Sequence, residues 1–163
     1  MNLSHAQRRN QSSYRYTHRN DSDAILEELI NFASESENMK GISPVKVLIV
    51  EDTEICQKIA LYMLSKPDYL AEVVATGKEA LEKYPQGYDV LLLDLGLPDM
   101  SGLDVCRHIR KKIGDVTTPI IAYSANSDSF HEECVEAGFS QVLLKPTKRE
   151  ILDQVIKKLV NKD

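Results

Sequence analysis

The stretch YDVLLLDLGLPDMSG, residues 88–102, decides the fold and raises a question about one side chain. The three leucines before Asp94 are typical of a strand buried on both faces of a parallel sheet. The run ends at Asp94, a carboxylate that is costly to bury without a partner. Gly96, Pro98 and Gly102 then break the chain into a loop. The pattern predicts a buried strand that places an aspartate at the rim of a sheet.

Strand and helix patterns alternate on both sides of this stretch. Strands are predicted at 45–50, 71–75, 88–94, 118–124 and 141–145, and helices at 53–65, 77–84, 101–113, 128–138 and 148–160. Apolar strands that are each followed by a helix indicate a parallel sheet covered on both faces. Because crossover connections are right-handed, we expect a flavodoxin-like doubly wound α/β fold, a (βα)5 unit with a five-stranded parallel sheet and an N-terminal helical extension.

The composition is that of a soluble domain with a short appendage. The chain has 163 residues, of which 42% are hydrophobic and 28% charged, and its net charge of −5 gives no electrostatic argument for binding nucleic acid. No apolar run approaches the roughly 18 residues of a membrane span. The basic start is not followed by the apolar core of a secretory signal. Three widely spaced cysteines favour a reducing, cytoplasmic location.

The distribution of charge predicts three regions. Residues 1–20 carry four arginines and no acid, and are expected to form a disordered basic tail. Residues 21–43 carry six acids and one lysine with apolar residues at helical spacing, which predicts an amphipathic helix and a linker. Residues 44–163 contain the five-stranded unit. The apolar face of the helix is expected to pack on its own domain, on a partner or across a homodimer.

Ionisable and hydroxyl side chains are expected at the carboxyl ends of four strands. Glu51 and Asp52 follow the first strand, Asp94 the third, Ser124 the fourth and Lys145 the fifth. Ligands of open α/β sheets bind at this rim. Clustered carboxylates repel one another unless a cation lies among them, and an all-oxygen set of donors suits Mg²⁺ better than zinc. A metal, a lysine and a hydroxyl can hold a phosphoryl group, with an ionised aspartate as nucleophile.

Four motifs resemble the receiver domain of response regulators in two-component signalling: VLIVEDTE, DVLLLDLGLPDMSG, TPIIAYSAN and VLLKPT. They occur in the expected order between about Val45 and Val160. Their amino-acid sequences are most similar to those of receivers in hybrid histidine kinases and phosphorelays. The resemblance implies a phosphoacceptor that receives a phosphoryl group from a histidine kinase or a histidine phosphotransfer protein. Such a domain signals to a downstream protein by a conformational change, and is not an enzyme in the ordinary sense.

The resemblance also implies a metal site around the phosphoacceptor. Asp94 matches the residue that accepts the phosphoryl group. Glu51 and Asp52 match the acidic pair that binds Mg²⁺ or Mn²⁺ together with Asp94. The main-chain carbonyl of Gly96 matches the ligand that follows the phosphoacceptor by two residues.

The remaining implied residues surround the phosphoryl group. Ser124 matches the switch hydroxyl, Ala125 the small residue beside it, and Lys145 the lysine that pairs with the phosphoryl group. Pro146 fits the cis peptide bond typical of that turn. The chain departs from the family at Val142, where an aromatic residue often stands, so signalling is expected to depend on ordering of the loop around Ser124.

Three alternatives stay open at this point. A phosphatase of the haloacid-dehalogenase type also uses an aspartate nucleophile and Mg²⁺, but it needs a second aspartate where this chain has Gly96. A pure interaction module would not need the clustered carboxylates. The chain ends directly after the last predicted helix, so it is expected to be a single-domain receiver or the receiver portion of a larger hybrid kinase.

Overall fold

The structure of the protein is a computed structural model that describes residues 21–38, 43–126 and 129–161. The expected basic tail, residues 1–20, lies outside the described residues. The chain divides into two compact units, one up to Lys40 and the other from Gly41 onwards. The domain boundaries expected at residues 20 and 43 stay predictions.

A parallel sheet forms the centre of the second unit. Its strands are β1 (Val45–Val50), β2 (Tyr69–Val74), β3 (Val90–Leu93), β4 (Ile120–Ser124) and β5 (Gln141–Leu144). They lie in the order β2-β1-β3-β4-β5, and every neighbouring pair is parallel. The chain builds outward from β1 to β2 and then crosses to β3, so the switch point lies between β1 and β3. The expected doubly wound fold is confirmed.

Helices cover both faces of this sheet. The second unit contains these α-helices, and the first unit contains a separate one, α1 (Asp21–Asn38). The α-helices of the second unit are α2 (Glu54–Met63), α3 (Gly77–Lys83), α4 (Gly102–His108), α5 (His131–Ala137) and α6 (Arg149–Val160). One core contains side chains of α3, α4 and α5, and the other contains side chains of α2 and α6. Strand residues alternate between the two cores, as Leu48 and Ile49 show. Within the described ranges, no helix combines the length and hydropathy that crossing a membrane requires.

Several element boundaries differ from the sequence prediction, and those of β2 and α4 are instructive. β2 begins at Tyr69, two residues before the predicted start, because Tyr69 and Leu70 pair with Val45 and Lys46 of β1. The helix predicted over 101–113 is α-helical only to His108 and continues as a π-helical turn over Ile109–Ile113. Neither difference moves a residue of the predicted site.

α1 presents large apolar side chains to solvent. Ile25, Leu26, Leu29 and Ile30 are each between 55% and 58% exposed. These residues recur at the spacing of one helix face, and such a face is normally buried against another element. The sequence of the same helix contains six acidic residues and no basic one.

A chain that begins at Ile42 is expected to stay folded, because both cores and all five strands belong to the unit that starts at Gly41. It should nevertheless change its oligomeric state or melt at a lower temperature. Removal of α1 forfeits ~25 cal/mol for each Å² of apolar surface that the helix buries on its own domain or across a dimer. Light scattering and thermal melts of the two chains measure this. Identical mass and melting temperature would show that α1 is a free extension.

Candidate functional site

The carboxyl ends of β1, β3, β4 and β5 meet at one rim of the sheet. The side chains that the sequence analysis assigned to this rim all lie there: Glu51, Asp52, Asp94, Ser124 and Lys145. Main-chain hydrogen bonds continue the ladder past the strand ends. The Asp94 N–H donates to the Val50 carbonyl at 3.0 Å, and the Lys145 N–H donates to the Ser124 carbonyl at 2.9 Å. The backbone of the sheet therefore sets the spacing of the site.

Three carboxylates form a compact acidic cluster. Glu51, Asp52 and Asp94 each offer an oxygen atom, and these atoms lie within 4.8 Å of one another. Glu51 is buried, Asp94 is partly buried and Asp52 is exposed, so the cluster opens to solvent on one side. Burial raises the pKa of Glu51, although hydrogen bonds from Lys145 and from the Thr53 backbone oppose the rise. A group of oxygen donors with this much negative charge fits a hard divalent cation such as Mg²⁺.

Lys145 supplies the positive charge that the structure shows beside the cluster. Its Nζ atom contacts Glu51 Oε2 and lies 3.4 Å from Asp94 Oδ2. Burial by itself lowers the pKa of Lys145, but the hydrogen bond to Glu51 and the charges of Asp94 and Glu51 raise it above its ordinary value. The lysine is therefore charged at neutral pH, with its ammonium group shared between two carboxylates.

The loop after β3 folds back under Asp94. The Gly96 N–H donates to Asp94 Oδ1 at 3.2 Å, and Gly96 and Ser101 form an antiparallel bridge. The Gly102 N–H donates to the Leu95 carbonyl at 2.9 Å. A Cβ atom on Gly102 would lie 2.2 Å from the carbonyl oxygen of Asp94, so this close approach requires glycine. The expected role of the Gly96 carbonyl as a metal ligand stays a prediction.

The expected switch residues lie at the end of β4 and on β5. Ser124 is 9% exposed, and its Oγ accepts a hydrogen bond from the Asn126 N–H at 3.4 Å. Ala125 is exposed beside it. Val142 is partly buried and packs against the core that contains α3, α4 and α5. The cis peptide bond expected before Pro146 is present.

Sequence reasoning missed two residues that shape the site. Gln57 on α2 donates from Nε2 to the Glu51 carbonyl at 2.7 Å, which ties the helix to the acidic turn. Tyr123, the residue before Ser124, is 5% exposed, and its ring centroid lies 5.2 Å from the Nζ of Lys145. One feature of the sequence could have identified Tyr123. It is an aromatic residue in a largely aliphatic predicted strand, and it directly precedes the predicted site residue Ser124.

Asp99 was also missed, and it anchors the loop that carries Asp94. Its two carboxylate oxygens accept hydrogen bonds from the N–H groups of Gly77 and Lys78, each at 2.9 Å. These N–H groups begin α3 and have no partner within the helix. The hydrogen bonds from Gly77 and Lys78 lower the pKa of Asp99 below its ordinary value of 3.8. Asp99 thus links the loop after β3 to the start of α3.

The Asp99→Ala variant is expected to melt at a lower temperature and to bind Mg²⁺ more weakly, though with a smaller loss than removal of a metal ligand. Because the pKa of Asp99 is depressed in the folded chain, its stabilisation is present above the ordinary pKa of 3.8 and is lost as the pH falls. Thermal melts from neutral pH to about pH 3 should show that the difference in melting temperature between the variant and the wild type becomes smaller near and below that pKa. Asp104→Ala is the matched control, since Asp104 is exposed and pairs with Arg107. A difference in melting temperature that stays constant with pH would contradict the role of Asp99.

Residues 47–157 match the family model described as the response regulator receiver domain. The chain belongs to this family. The receiver domain of sensor histidine kinase PA1611 from Pseudomonas aeruginosa PAO1, solved with a magnesium ion in its active site cleft, superimposes with a TM-score of 0.68. It is 31% identical, and the match covers 74% of this chain and all of that one. The recognition as a receiver of two-component signalling is confirmed.

Curated relatives include both sensor kinases and response regulators. The aerobic respiration control sensor protein ArcB of Escherichia coli K12 is 40% identical over 116 residues, which are 70% of this chain and 15% of ArcB. Response regulator ArlR of Staphylococcus saprophyticus is 37% identical over 103 residues, which are 62% of this chain and 46% of ArlR. The chain therefore spans less than half the length of either relative.

Proposed function

We propose that this receiver accepts a phosphoryl group on Asp94, in a Mg²⁺- or Mn²⁺-dependent transfer from the phosphohistidine of a histidine kinase or a histidine phosphotransfer protein. The proposal rests on one arrangement. Asp94 offers a carboxylate oxygen within 4.8 Å of oxygens of Glu51 and Asp52, and its Oδ2 atom lies 3.4 Å from the Nζ of Lys145. A nucleophilic carboxylate between a cation site and a lysine suits the transfer of a charged phosphoryl group.

The transfer makes one bond and breaks one. An Asp94 carboxylate oxygen attacks phosphorus and forms the O–P bond of an acyl phosphate. The P–N bond of the donor breaks, and its electron pair stays on the imidazole nitrogen. A small donor such as acetyl phosphate loses acetate in the same way. In this step Lys145 offsets charge that develops on the phosphoryl oxygens, and the buried Ser124 hydroxyl lies at the end of β4, where it can donate to them.

A divalent cation bound by Glu51, Asp52 and Asp94 would neutralise charge on the incoming phosphoryl group. The oxygen-only donors of these residues fit Mg²⁺. The magnesium ion of the PA1611 receiver supports the same choice of metal for this chain.

The sequence analysis left open whether the domain works alone or with a hybrid kinase, and similarity to hybrid signal transduction histidine kinase M of Dictyostelium discoideum favours the second setting. We propose that the domain works with a hybrid kinase or phosphorelay, either as a separate receiver or as part of a longer chain. The three unpaired cysteines suit a reducing, cytoplasmic location. The phosphatase alternative is not favoured, because Gly96 stands where that chemistry needs a second carboxylate.

Intact mass spectrometry of the wild-type chain tests the proposal. Incubation with acetyl phosphate and Mg²⁺ should add the mass of one phosphoryl group, and a chelator in excess of the metal should prevent the addition. Phosphorylated histidine phosphotransfer proteins should give the same product. A mass that stays unchanged with every donor, or that rises equally in the presence of the chelator, would overturn the proposal.

A further inference from the structure

We propose that Tyr123 is a positioning residue for phosphoryl transfer, because its aromatic ring holds the ammonium group of Lys145 beside Asp94. This inference rests on the proposed function, in which Lys145 offsets charge on the phosphoryl group. It adds a residue that neither the site prediction nor the family comparison assigns.

The strand geometry brings the ring to the lysine. Ile121 and Tyr123 face the core that contains α2 and α6, whereas Ile120 and Ala122 face the opposite core. Tyr123 is 5% exposed, so its ring has a fixed, largely dry environment. The Nζ of Lys145 lies 5.2 Å from the ring centroid, inside the ~6 Å range of cation–π attraction. Removal from water strengthens such an attraction.

The pKa of Tyr123 reflects the same surroundings. Burial raises this pKa, while the backbone N–H of Thr147 and the charge of Lys145 oppose the rise. The contact that the structure shows between Tyr123 and Lys145 is the one from the ring to the ammonium group, so the inference depends on the ring.

The position of the ammonium group matters because two acids compete for it. Nζ contacts Glu51 directly, whereas its distance to the phosphoacceptor Asp94 is 3.4 Å. A lysine has a flexible four-carbon stem, so without a support it would follow the stronger attraction toward Glu51. The ring of Tyr123 restricts that freedom and keeps the charge near Asp94.

Two substitutions separate the ring from the hydroxyl. Tyr123→Phe keeps the ring and should retain the rate of phosphorylation by acetyl phosphate within about twofold, whereas Tyr123→Leu should lower it about 3- to 30-fold, the range of a cation–π contact. Neither should change Mg²⁺ affinity. Ile121→Ala is the matched control, because Ile121 is buried on the same face of β4 and its loss should lower stability without slowing phosphorylation.

Proton NMR of Lys145 gives a readout that does not depend on phosphorylation. Its ε-methylene protons should be shifted upfield by the ring in the wild type and in Tyr123→Phe, and should lose that shift in Tyr123→Leu. The inference would be overturned by any of three results. These are equal phosphorylation rates for the wild type and Tyr123→Leu, equal losses of rate in Tyr123→Phe and Tyr123→Leu, or no upfield shift of the Lys145 protons in the wild type. A wild-type chain that takes no phosphate but shows the ring shift would overturn the proposed function instead.

Discussion

The Asp94→Asn chain is expected to take up no phosphoryl group from any donor, while the wild type takes one. The amide has no anionic oxygen to attack phosphorus, and the substitution removes one of the three carboxylates that lie within 4.8 Å of one another. Because asparagine has the same shape as aspartate, the fold should be unaffected. Intact mass after incubation with acetyl phosphate and Mg²⁺ measures the result.

The control for this variant is Asp104→Asn. Asp104 is an exposed acid in the first turn of α4 that pairs with Arg107, and it is not one of the three clustered carboxylates. The Asp104→Asn variant should be phosphorylated to the same extent as the wild type. If labelling survives in Asp94→Asn, with the phosphoryl group on another residue, the assignment of Asp94 is wrong.

The location of the site was predictable because it depends on chain order. In a parallel sheet every strand ends at the same edge, so a carboxylate after β1 and another after β3 must lie on one rim. The adjacency of Glu51 and Asp94 follows, since β1 and β3 are neighbours in the sheet. The sequence alone was sufficient for these placements, because they need only the strand ends and their order.

The contacts made by Asp99 and Tyr123 were not predictable in the same way. Alternation along β4 indicates which face Tyr123 occupies, but not that Lys145, directly after the neighbouring strand β5, lies over its ring. Asp99 contacts Gly77 and Lys78, which are about twenty residues away in sequence. Such contacts depend on the relative register of strands and the path of a loop, which periodicity does not encode.

The end of α4 illustrates a further limit of pattern reading. Ile109 is buried and Ile113 is 46% exposed, with Gly114 in a left-handed conformation directly after them. An apolar pair four residues apart followed by glycine predicts the last turn of an α-helix. The structure instead has a π-helical turn, in which each N–H bonds to a carbonyl five residues back. The apolar spacing is compatible with both, so only coordinates separate them.

The Asp52→Ala variant is expected to lose Mg²⁺ binding and phosphorylation together. Asp52 is the exposed member of the acidic cluster, so its carboxylate is the one that an entering metal ion can reach most easily. Without it, Glu51 and Asp94 remain, and both already contact or lie near Lys145. The metal offsets charge that develops during the transfer, so loss of the metal should also stop the chemistry. Calorimetric titration with Mg²⁺ and intact mass after acetyl phosphate measure the two losses.

Glu54→Ala is the control that separates loss of a ligand from loss of negative charge. Glu54 is an exposed acid in the first turn of α2, two residues after Asp52, and its ion pair with Lys58 has an N–O distance of 2.7 Å. The Glu54→Ala variant should bind Mg²⁺ and accept a phosphoryl group as the wild type does. Because the Asp52 side chain is exposed, its removal should leave the melting temperature of the metal-free chain unchanged or higher, since one repelling charge is gone. Unchanged Mg²⁺ affinity in Asp52→Ala would show that the metal binds elsewhere.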